Sequence, residues 1–597
     1  MPNRRVVQWD KEDCADLGII KIDLLGLGML QALEETIELV RNVEGKAIDL
    51  ARLPPDDPET YAMIRCADTI GTFQIESRAQ MATLPRMKPE RFYDLVVEVA
   101  IIRPGPITGQ MVHPYLNRRA GREPVTYPHP SLEPILKRTL GVPLFQEQLL
   151  RIAMVAAGFT GGEAEELRRA MGFKRSVERM SRIEQRLVEG MSARGIDGRA
   201  QAEILRGITS FALYGFPESH AASFALIAYA SAYLKAHHPA AFVTGILNAW
   251  PMGFYGPATL VKDAQRHGVE VRPIDVAHSS WKCTLEPKEP PRTASSQGRR
   301  PRSEAQPSEG GPPRRQGRRP RSEAQPSEVG RVRLGLRYAA GLRQETGLAI
   351  AAERRRAPFA SVADLARRVA LRRDELDTLA ELGALASIDP AARTRRSAVW
   401  QVAAVERDRG SLFAGVSPVA ARARLGPASP PCEPLRGPTF ARLRLAARPS
   451  ALPVSPLTEL SPLETTLADY RLSGLTTGPQ IMEHLRAQLC ERGVLTAAEL
   501  RAVPDGRFVR TAGHAIVRQR PGTAKGFCFL TLEDETGTAN AILTPKQFQR
   551  FRVPLHTASI IEIAGPLQNA DDVIHVRVRE LRPLVPREAL PRSHDYR

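Results

Sequence analysis

Gly18-Ile19-Ile20-Lys21-Ile22-Asp23-Leu24-Leu25-Gly26-Leu27-Gly28 is the stretch around which the rest of the 597-residue chain is read. Taken as a strand, its two-residue period sets Ile20, Ile22 and Leu24 on one face and Ile19, Lys21 and Asp23 on the other. An acid and a base then project together from an apolar ribbon. The pair fits a salt-bridged, solvent-facing strand end. It also fits a metal-binding carboxylate beside a phosphate-binding lysine, as in enzymes that move phosphoryl groups with two magnesium ions. Downstream, Leu30, Leu33, Ile37 and Leu39 or Val40 recur at helical spacing over 29–42, until Asn42 and Gly45 end the run. Asp23 thus stands just ahead of a strand-to-helix turn.

A content of 43% hydrophobic and 25% charged residues is globular, and the length admits several domains. The formal net charge of +18 surrounds the molecule with a positive field. Nucleic-acid affinity comes largely from neutralising phosphates, so a polyanion is the expected partner. The six cysteines include no CxxC pair, which indicates neither a zinc site nor a disulfide framework and suits a reducing cytosol. No apolar run approaches the roughly 18 residues of a membrane span, so a cytoplasmic protein with no membrane partner is expected. A P-loop NTPase is disfavoured because no GxxxxGK[ST] occurs.

Along the chain, a helical pattern over 91–102 is closed by Arg103-Pro104-Gly105-Pro106. Residues 146–158 read as a helix, and a second begins at Thr160-Gly161-Gly162-Glu163 with the spacing of a capping box. Arg168 and Arg169 fall on its second and third turns, with the stop near Gly172 and Lys174 just beyond. These cations read as a solvated helix end favoured by the macrodipole, or as a binding group beside glycines. Helical spacing resumes over 176–211 with an interruption at 195–198. A turn at 214–220 precedes a small-residue helix over 221–238, ended by Pro239. Ser219 reads as its N-cap. With His220 nearby, that terminus is a ready anion site, or simply the start of a capped core helix.

Residues 286–330 change character, and QGRRPRSEAQPSE occurs twice, from Gln297 and from Gln316. So apolar-poor a segment reads as a disordered basic insert. Residues 331–334 alternate as a strand, 340–355 and two shorter stretches within 359–385 as helices. With glycines at 341 and 383, this is the outline of a helix-hairpin-helix, although Arg343 stands where a second turn glycine is expected. Residues 415–465 are a Pro- and Arg-rich linker. Five strands at 508–513, 527–532, 539–543, 560–564 and 573–578, with a short helix over 545–551, form the pattern of an OB fold. Such a fold binds single strands or proteins. Arg510, Arg518, Arg520 and Lys525 near the first hairpin favour nucleic acid.

Taken together, residues 9–29, Thr72-Phe73-Gln74-Ile75-Glu76-Ser77-Arg78, Ile102-Arg103-Pro104-Gly105-Pro106, Leu144-Phe145-Gln146-Glu147-Gln148, Leu167-Arg168-Arg169-Ala170-Met171-Gly172 and residues 214–223 resemble a known family. It is the alpha subunit of bacterial C-family DNA polymerase III, most closely its error-prone, damage-associated branch. The resemblance covers nearly the whole chain except the insert and the linker. It implies a multidomain α+β fold with mostly helical fingers, a helix-hairpin-helix region and a C-terminal OB-fold β-barrel. The implied divisions are 1–30 the C-terminal part of the palm, 31–285 fingers, 286–330 insert and 331–400 helix-hairpin-helix. Residues 401–503 are then linker and a helical segment, 504–587 the OB fold and 588–597 a tail.

Function follows by the same resemblance. Asp23 looks like the third of three palm aspartates that hold two Mg2+ ions, and Lys21 would face the triphosphate or primer end. Arg168, Arg169, Lys174 and the Ser219-His220 turn map onto groups that bind the incoming nucleotide, with Arg103 and Arg78 as further candidates. Gly341 and Arg343 map to the hairpin and Arg510, Arg518, Arg520 and Lys525 to the OB fold as DNA-binding residues. Implied partners are DNA primer-template, deoxynucleoside triphosphates, accessory damage-tolerance proteins and a sliding clamp. For the clamp, Gly410-Ser411-Leu412-Phe413-Ala414-Gly415 lies in the expected place without the usual Gln. The family's first two aspartates lie in a Pro-Asp-x-Asp-x-Asp-Phe motif that these 597 residues lack. The expectation is therefore the C-terminal portion of a polymerase, inactive alone, whose missing N-terminal portion is a further partner. The alternative is a noncatalytic DNA-binding or scaffold fragment.

Overall fold

A computed structural model describes residues 8–9, 11–20, 24–102, 109–171, 177–212, 216–287, 330–405, 455–521, 524–571, 573–586, 590 and 594–596. Most of the expected insert and linker, and all of 410–415, lie outside these residues. The chain forms two compact units: one from residues 1–272, 283–333 and 474–597, the other from 273–282 and 334–473.

In the first unit the helix Leu27–Leu39 buries Met29, Ala32, Leu33 and Thr36. Of the residues whose spacing marked the helix, Leu33 and Val40 are buried, while Leu30 is 45% exposed, so the core-facing stripe is rotated from the expected one. It lies against Pro239–Ala249, where Gly245 admits the close approach. A Cβ there would sit 2.4 Å from Thr36 Oγ1 and 2.6 Å from the Ala32 carbonyl. The helix Glu218–His237 turns Ala221, Ala225, Ala228 and Ala232 toward Leu95, Val96 and Val99 of Phe92–Ile101 in one apolar core. Small side chains on one stripe let the two helices pack closely. A second core joins Gln146–Ala157, Gly161–Met171, Val177–Ser192 and Gly198–Ala212 through Leu149, Leu167, Leu187, Met191 and Ile204.

Among the described residues, two sheets complete this unit. Strands β1 (Val271–Arg272), β2 (Thr284–Glu286) and β3 (Arg331–Arg333) run in the order β1-β3-β2. The larger sheet has β4 (Phe508–Gln519), β5 (Cys528–Asp534), β6 (Gly537–Leu543), β7 (Ala558–Ala570), β8 (Val573–Arg577), β9 (Glu580–Pro586) and β10 (His594–Tyr596). Pairing passes from β4 through β5, β6, β8 and β7 and returns to β4. All five expected strands are present, and Pro545–Arg550 supplies the helix expected between the third and fourth. β9 and β10 are additional to those five. β9 carries Pro583 and Pro586 and pairs with β7 alone among the described residues, as proline requires of an edge strand.

The second unit holds Gln344–Arg356, Val362–Arg368, Arg373–Glu381, Arg395–Ala404 and Pro462–Ser473. Gly341 and Gly383 take φ of 78° and 75°, conformations that a side chain would strain. The helix Pro462–Ser473 begins inside the segment read as linker.

One expectation is corrected at the starting stretch. Lys21, Ile22 and Asp23 lie outside the described residues, but their neighbours join no strand. Ile20 is 84% and Leu24 63% exposed, so these two residues of the apolar face meet solvent. A short ribbon becomes a strand only when a neighbour takes its backbone groups and a layer covers one face. Among the described residues no strand of either sheet pairs with this stretch. No described helix is long and apolar enough to cross a membrane.

Replacing Gly245 with alanine should force the Leu27–Leu39 and Pro239–Ala249 helices apart and destabilise the chain by about 1–3 kcal/mol in urea unfolding. Gly207→Ala, in a helix with open space around the position, should instead stabilise by up to about 1 kcal/mol.

Candidate nucleic-acid interface

The candidate site begins at the helix Gly161–Met171, whose start is the expected capping box. Thr160 N–H donates to Glu163 Oε2 at 2.8 Å, and Glu163 N–H to Thr160 Oγ1 at 3.4 Å. Burial of Leu167 turns Arg168 outward, where it makes two bonds to Glu165 at 2.8 and 2.7 Å with its side chain 46% exposed. Those bonds, from a carboxylate one turn earlier, raise its pKa. The Arg169 side chain, Lys174 and Arg103 lie outside the described residues.

The second element is the start of Glu218–His237. Ser219 is not its N-cap: Pro217 occupies that position without a side-chain bond, and Ser219 is an exposed residue of the first turn. The acceptor comes from a distant segment instead, because Glu147 Oε2 takes the Glu218 N–H at 3.0 Å. Gln146 N–H also donates to the Phe216 carbonyl at 3.0 Å, pinning the turn to the helix Gln146–Ala157. His220 is packed between Phe216 and Phe224, with ring centroids 5.1 and 4.2 Å away. Glu147 further acts on Arg168, where its charge favours the guanidinium. Glu147 thus bonds the start of the helix Glu218–His237 while its charge also acts on Arg168, and exposed arginines and helix N-termini both attract anions.

Arg78 lies elsewhere. It opens a helix capped by a box between Ser77 and Gln80, and its guanidinium sits 4.7 Å over the Phe529 ring of β5. Neither terminal nitrogen has a hydrogen-bond partner, and burial lowers its pKa to about 10. His575 of β8 is kept neutral beside it, pushed down to about 4 by burial and then by Arg78 and Arg86. The preceding Glu76 is equally internal: it accepts the N–H groups of Gly71 and Phe254 at 2.9 and 2.7 Å. Burial lifts its pKa to about 7.

On the larger sheet, Arg518 is buried and donates to the Ala558 carbonyl at 2.7 Å, and Arg510 is half-buried. Arg520, 4.4 Å over Phe548, and Lys525 are exposed. In the second unit Gly341 is exposed, while Arg343 bonds both oxygens of Glu375 at 2.8 and 3.0 Å. Burial alone would raise the Glu375 pKa; bonds from Arg343 and from the Arg372 and Arg343 backbone bring it down to about 2.

Asp68, Asp263 and His267 are the described residues whose ligand atoms converge closely enough for a metal. They do not suit one. Lys235 Nζ lies 2.8 Å from Asp263 and 3.4 Å from Asp68, so an internal ammonium already holds the cation's place.

Comparisons with known proteins bear on three regions. Residues 29–195 match the family model described as the bacterial DNA polymerase III alpha subunit finger domain. Residues 268–398 match a helix-hairpin-helix motif, and 512–584 an OB-fold nucleic acid binding domain. The chain is 45% identical over 606 residues to a protein named error-prone DNA polymerase from Anaeromyxobacter dehalogenans strain 2CP-C, covering 100% of this chain and 47% of that one. It is 44% identical over 576 residues to one of the same name from Methylococcus capsulatus, covering 96% of this chain and 50% of that one. The chain thus spans about half the length of these relatives.

The Arg343–Glu375 pair carries a pH signature. A carboxylate whose folded pKa is depressed contributes stability above its unfolded value of about 4.3 and loses it as pH falls toward the folded one. Acid unfolding should therefore show a loss between about pH 4.3 and pH 2. Glu375→Gln should flatten that limb while lowering stability at neutral pH.

Proposed function

We propose that this chain is the fingers, hairpin and OB-barrel portion of an error-prone DNA polymerase, working in template-directed nucleotidyl transfer during damage tolerance. The observation that carries this reading is the 45% identity to an error-prone DNA polymerase along the whole chain, with finger-domain, hairpin and OB-fold matches in that order. DNA primer-template and deoxynucleoside triphosphates are the substrates.

In this reading Arg168, with Arg169 and Lys174, meets the triphosphate. The pair between Arg168 and Glu165 is solvent-exposed, and such pairs contribute little, so a phosphate can replace the carboxylate with stronger charge-assisted bonds. The start of Glu218–His237, with Ser219 and His220, supplies backbone donors and a positive dipole end to charge that develops on the departing pyrophosphate. Glu147 accepts the Glu218 N–H, and its charge favours the Arg168 guanidinium before the nucleotide arrives. Arg520, Lys525 and the Gly341 turn contact DNA phosphates.

Asp23, with Lys21, sits ahead of the finger helices and contributes one carboxylate toward Mg2+. Transfer on two ions requires several, and the remaining ligands come from the other half of the polymerase. The sliding clamp and accessory damage-tolerance proteins are partners of the assembled enzyme.

Primer extension with magnesium tests this. The isolated chain should incorporate no nucleotide, and adding the N-terminal half of the Anaeromyxobacter relative should restore extension. In the restored enzyme Arg168→Ala should raise the KM for deoxynucleotide at least tenfold, a loss of about 1.4 kcal/mol or more in nucleotide binding. Strong extension by the isolated chain would refute the division of labour. DNA binding without extension in either case would favour the scaffold reading.

A further inference from the structure

A cleft of about 990 Å³ opens in the first unit, and neither Arg168 nor the 217–220 turn lines it. The helices Arg78–Met87 and Gly109–Arg119 end at it, and Asp571 at the β7–β8 turn closes one side. Seven arginine and lysine side chains line it against three carboxylates.

Part of that charge is structural. Helix C-termini carry the negative end of the dipole, and Arg118 and Arg119 stand in a last turn where they offset it. Arg119 directs two nitrogens to Asp94 at 2.8 Å each, and Arg118 meets Glu123 at 3.2 Å and the Leu140 carbonyl at 2.8 Å.

The remainder is held far more loosely. Lys88 and Arg91 are exposed at the rim. Arg122 is 48% exposed and reaches the partly exposed Asp571 at 2.9 Å. Arg138 is 67% exposed; its nearest carboxylate, that of Glu218, stands 3.8 Å away, beyond hydrogen-bond distance. Its guanidinium lies 3.9 Å over the centroid of the Tyr93 ring. One face of the group is therefore backed by an aromatic ring, and most of the rest meets solvent.

We propose that this cleft binds single-stranded nucleic acid. Lys88, Arg91 and Arg122 neutralise phosphates along the strand, and one unpaired base lies on the outer face of Arg138, supported by Tyr93. Several separated cations suit a repeating polyanion better than one compact anion. An arginine plane resting on an aromatic ring is a platform for an unstacked base, which a duplex does not present. Because Asp571 belongs to the β7–β8 turn, the track passes from the helical part of the unit to its larger sheet. The inference stands on the cleft's charge and geometry, so failure of primer extension would leave it intact.

Fluorescence anisotropy of a 5′-labelled dT oligomer with the full chain tests it. Lys88→Glu/Arg91→Glu should raise Kd at least tenfold and reduce the salt slope by about 0.7 for each phosphate no longer neutralised. Arg138→Lys should weaken oligomer binding about fivefold yet leave inorganic tripolyphosphate binding unchanged, because the stacking plane disappears and the charge is kept. The milder Lys88→Gln/Arg91→Gln should act in the same direction, which guards against a folding defect. Arg52→Glu/Arg355→Glu, at exposed positions elsewhere, serves as the charge control. Equal weakening by that control would overturn the proposal. So would competition by tripolyphosphate or by duplex DNA that matches unlabelled dT at equal phosphate concentration.

Discussion

The first unit is held to its geometry by the ammonium of Lys235. Its side chain is 7% exposed, 2.8 Å from Asp263, 3.4 Å from Asp68, and donates to the Ile70 carbonyl at 2.8 Å. Burial alone would depress its pKa; the two carboxylates raise it instead. His267 joins through Asp68 at 2.6 Å, and that bond lifts the imidazole pKa. A buried charge left without its counter-charge costs several kcal/mol, on the order of 3–5. The helix Glu218–His237, the 68–70 turn and the helix Pro257–Arg266 therefore have one mutual arrangement that satisfies all these groups.

From Pro257–Arg266 the constraint reaches the larger sheet. Lys262 and Gln265 donate to the carbonyls of Gly478 and Thr477 at 2.5 and 2.8 Å, and Thr259 and Arg266 each bond Glu533 of β5 at 3.2 Å. Arg78 adds its packing on Phe529 of the same strand. Apolar burial supplies most of the free energy of such packing, yet it is tolerant of small shifts. Charge-assisted bonds to particular carbonyls and carboxylates are not, and they set the placement of the sheet against these helices.

Legibility in the sequence follows the range of the deciding interaction. The box at Thr160 and Glu163, the helix Gln146–Ala157 and the stop before Pro239 depend on residues within one turn, and their residue order alone identifies them. The strand around Ile20 fails because period two states which face is apolar and says nothing about whether a partner covers it. The cap at Ser219 fails because the acceptor, Glu147, lies 71 residues away. β9 escapes because its two prolines argue against a strand unless an edge position is known. The basic cleft escapes for a related reason: its cations come from three separated stretches, 86–91, 118–122 and 138, and only the fold assembles them.

This bears on what a matching motif means in the finger region. In Thr72-Phe73-Gln74-Ile75-Glu76-Ser77-Arg78 the polar groups turn inward: Glu76 closes two backbone turns, and Arg78 meets β5. In Leu144-Phe145-Gln146-Glu147-Gln148 the Gln148 amide joins Leu144, Phe145 and Thr139. Among these side chains it is Glu147 that accepts the Glu218 N–H at the start of the helix Glu218–His237. Motif residues here thus build the frame more than they touch a ligand. The frame determines which cations remain outside it, and Arg168, 46% exposed in a pair with the similarly exposed Glu165, is one of them.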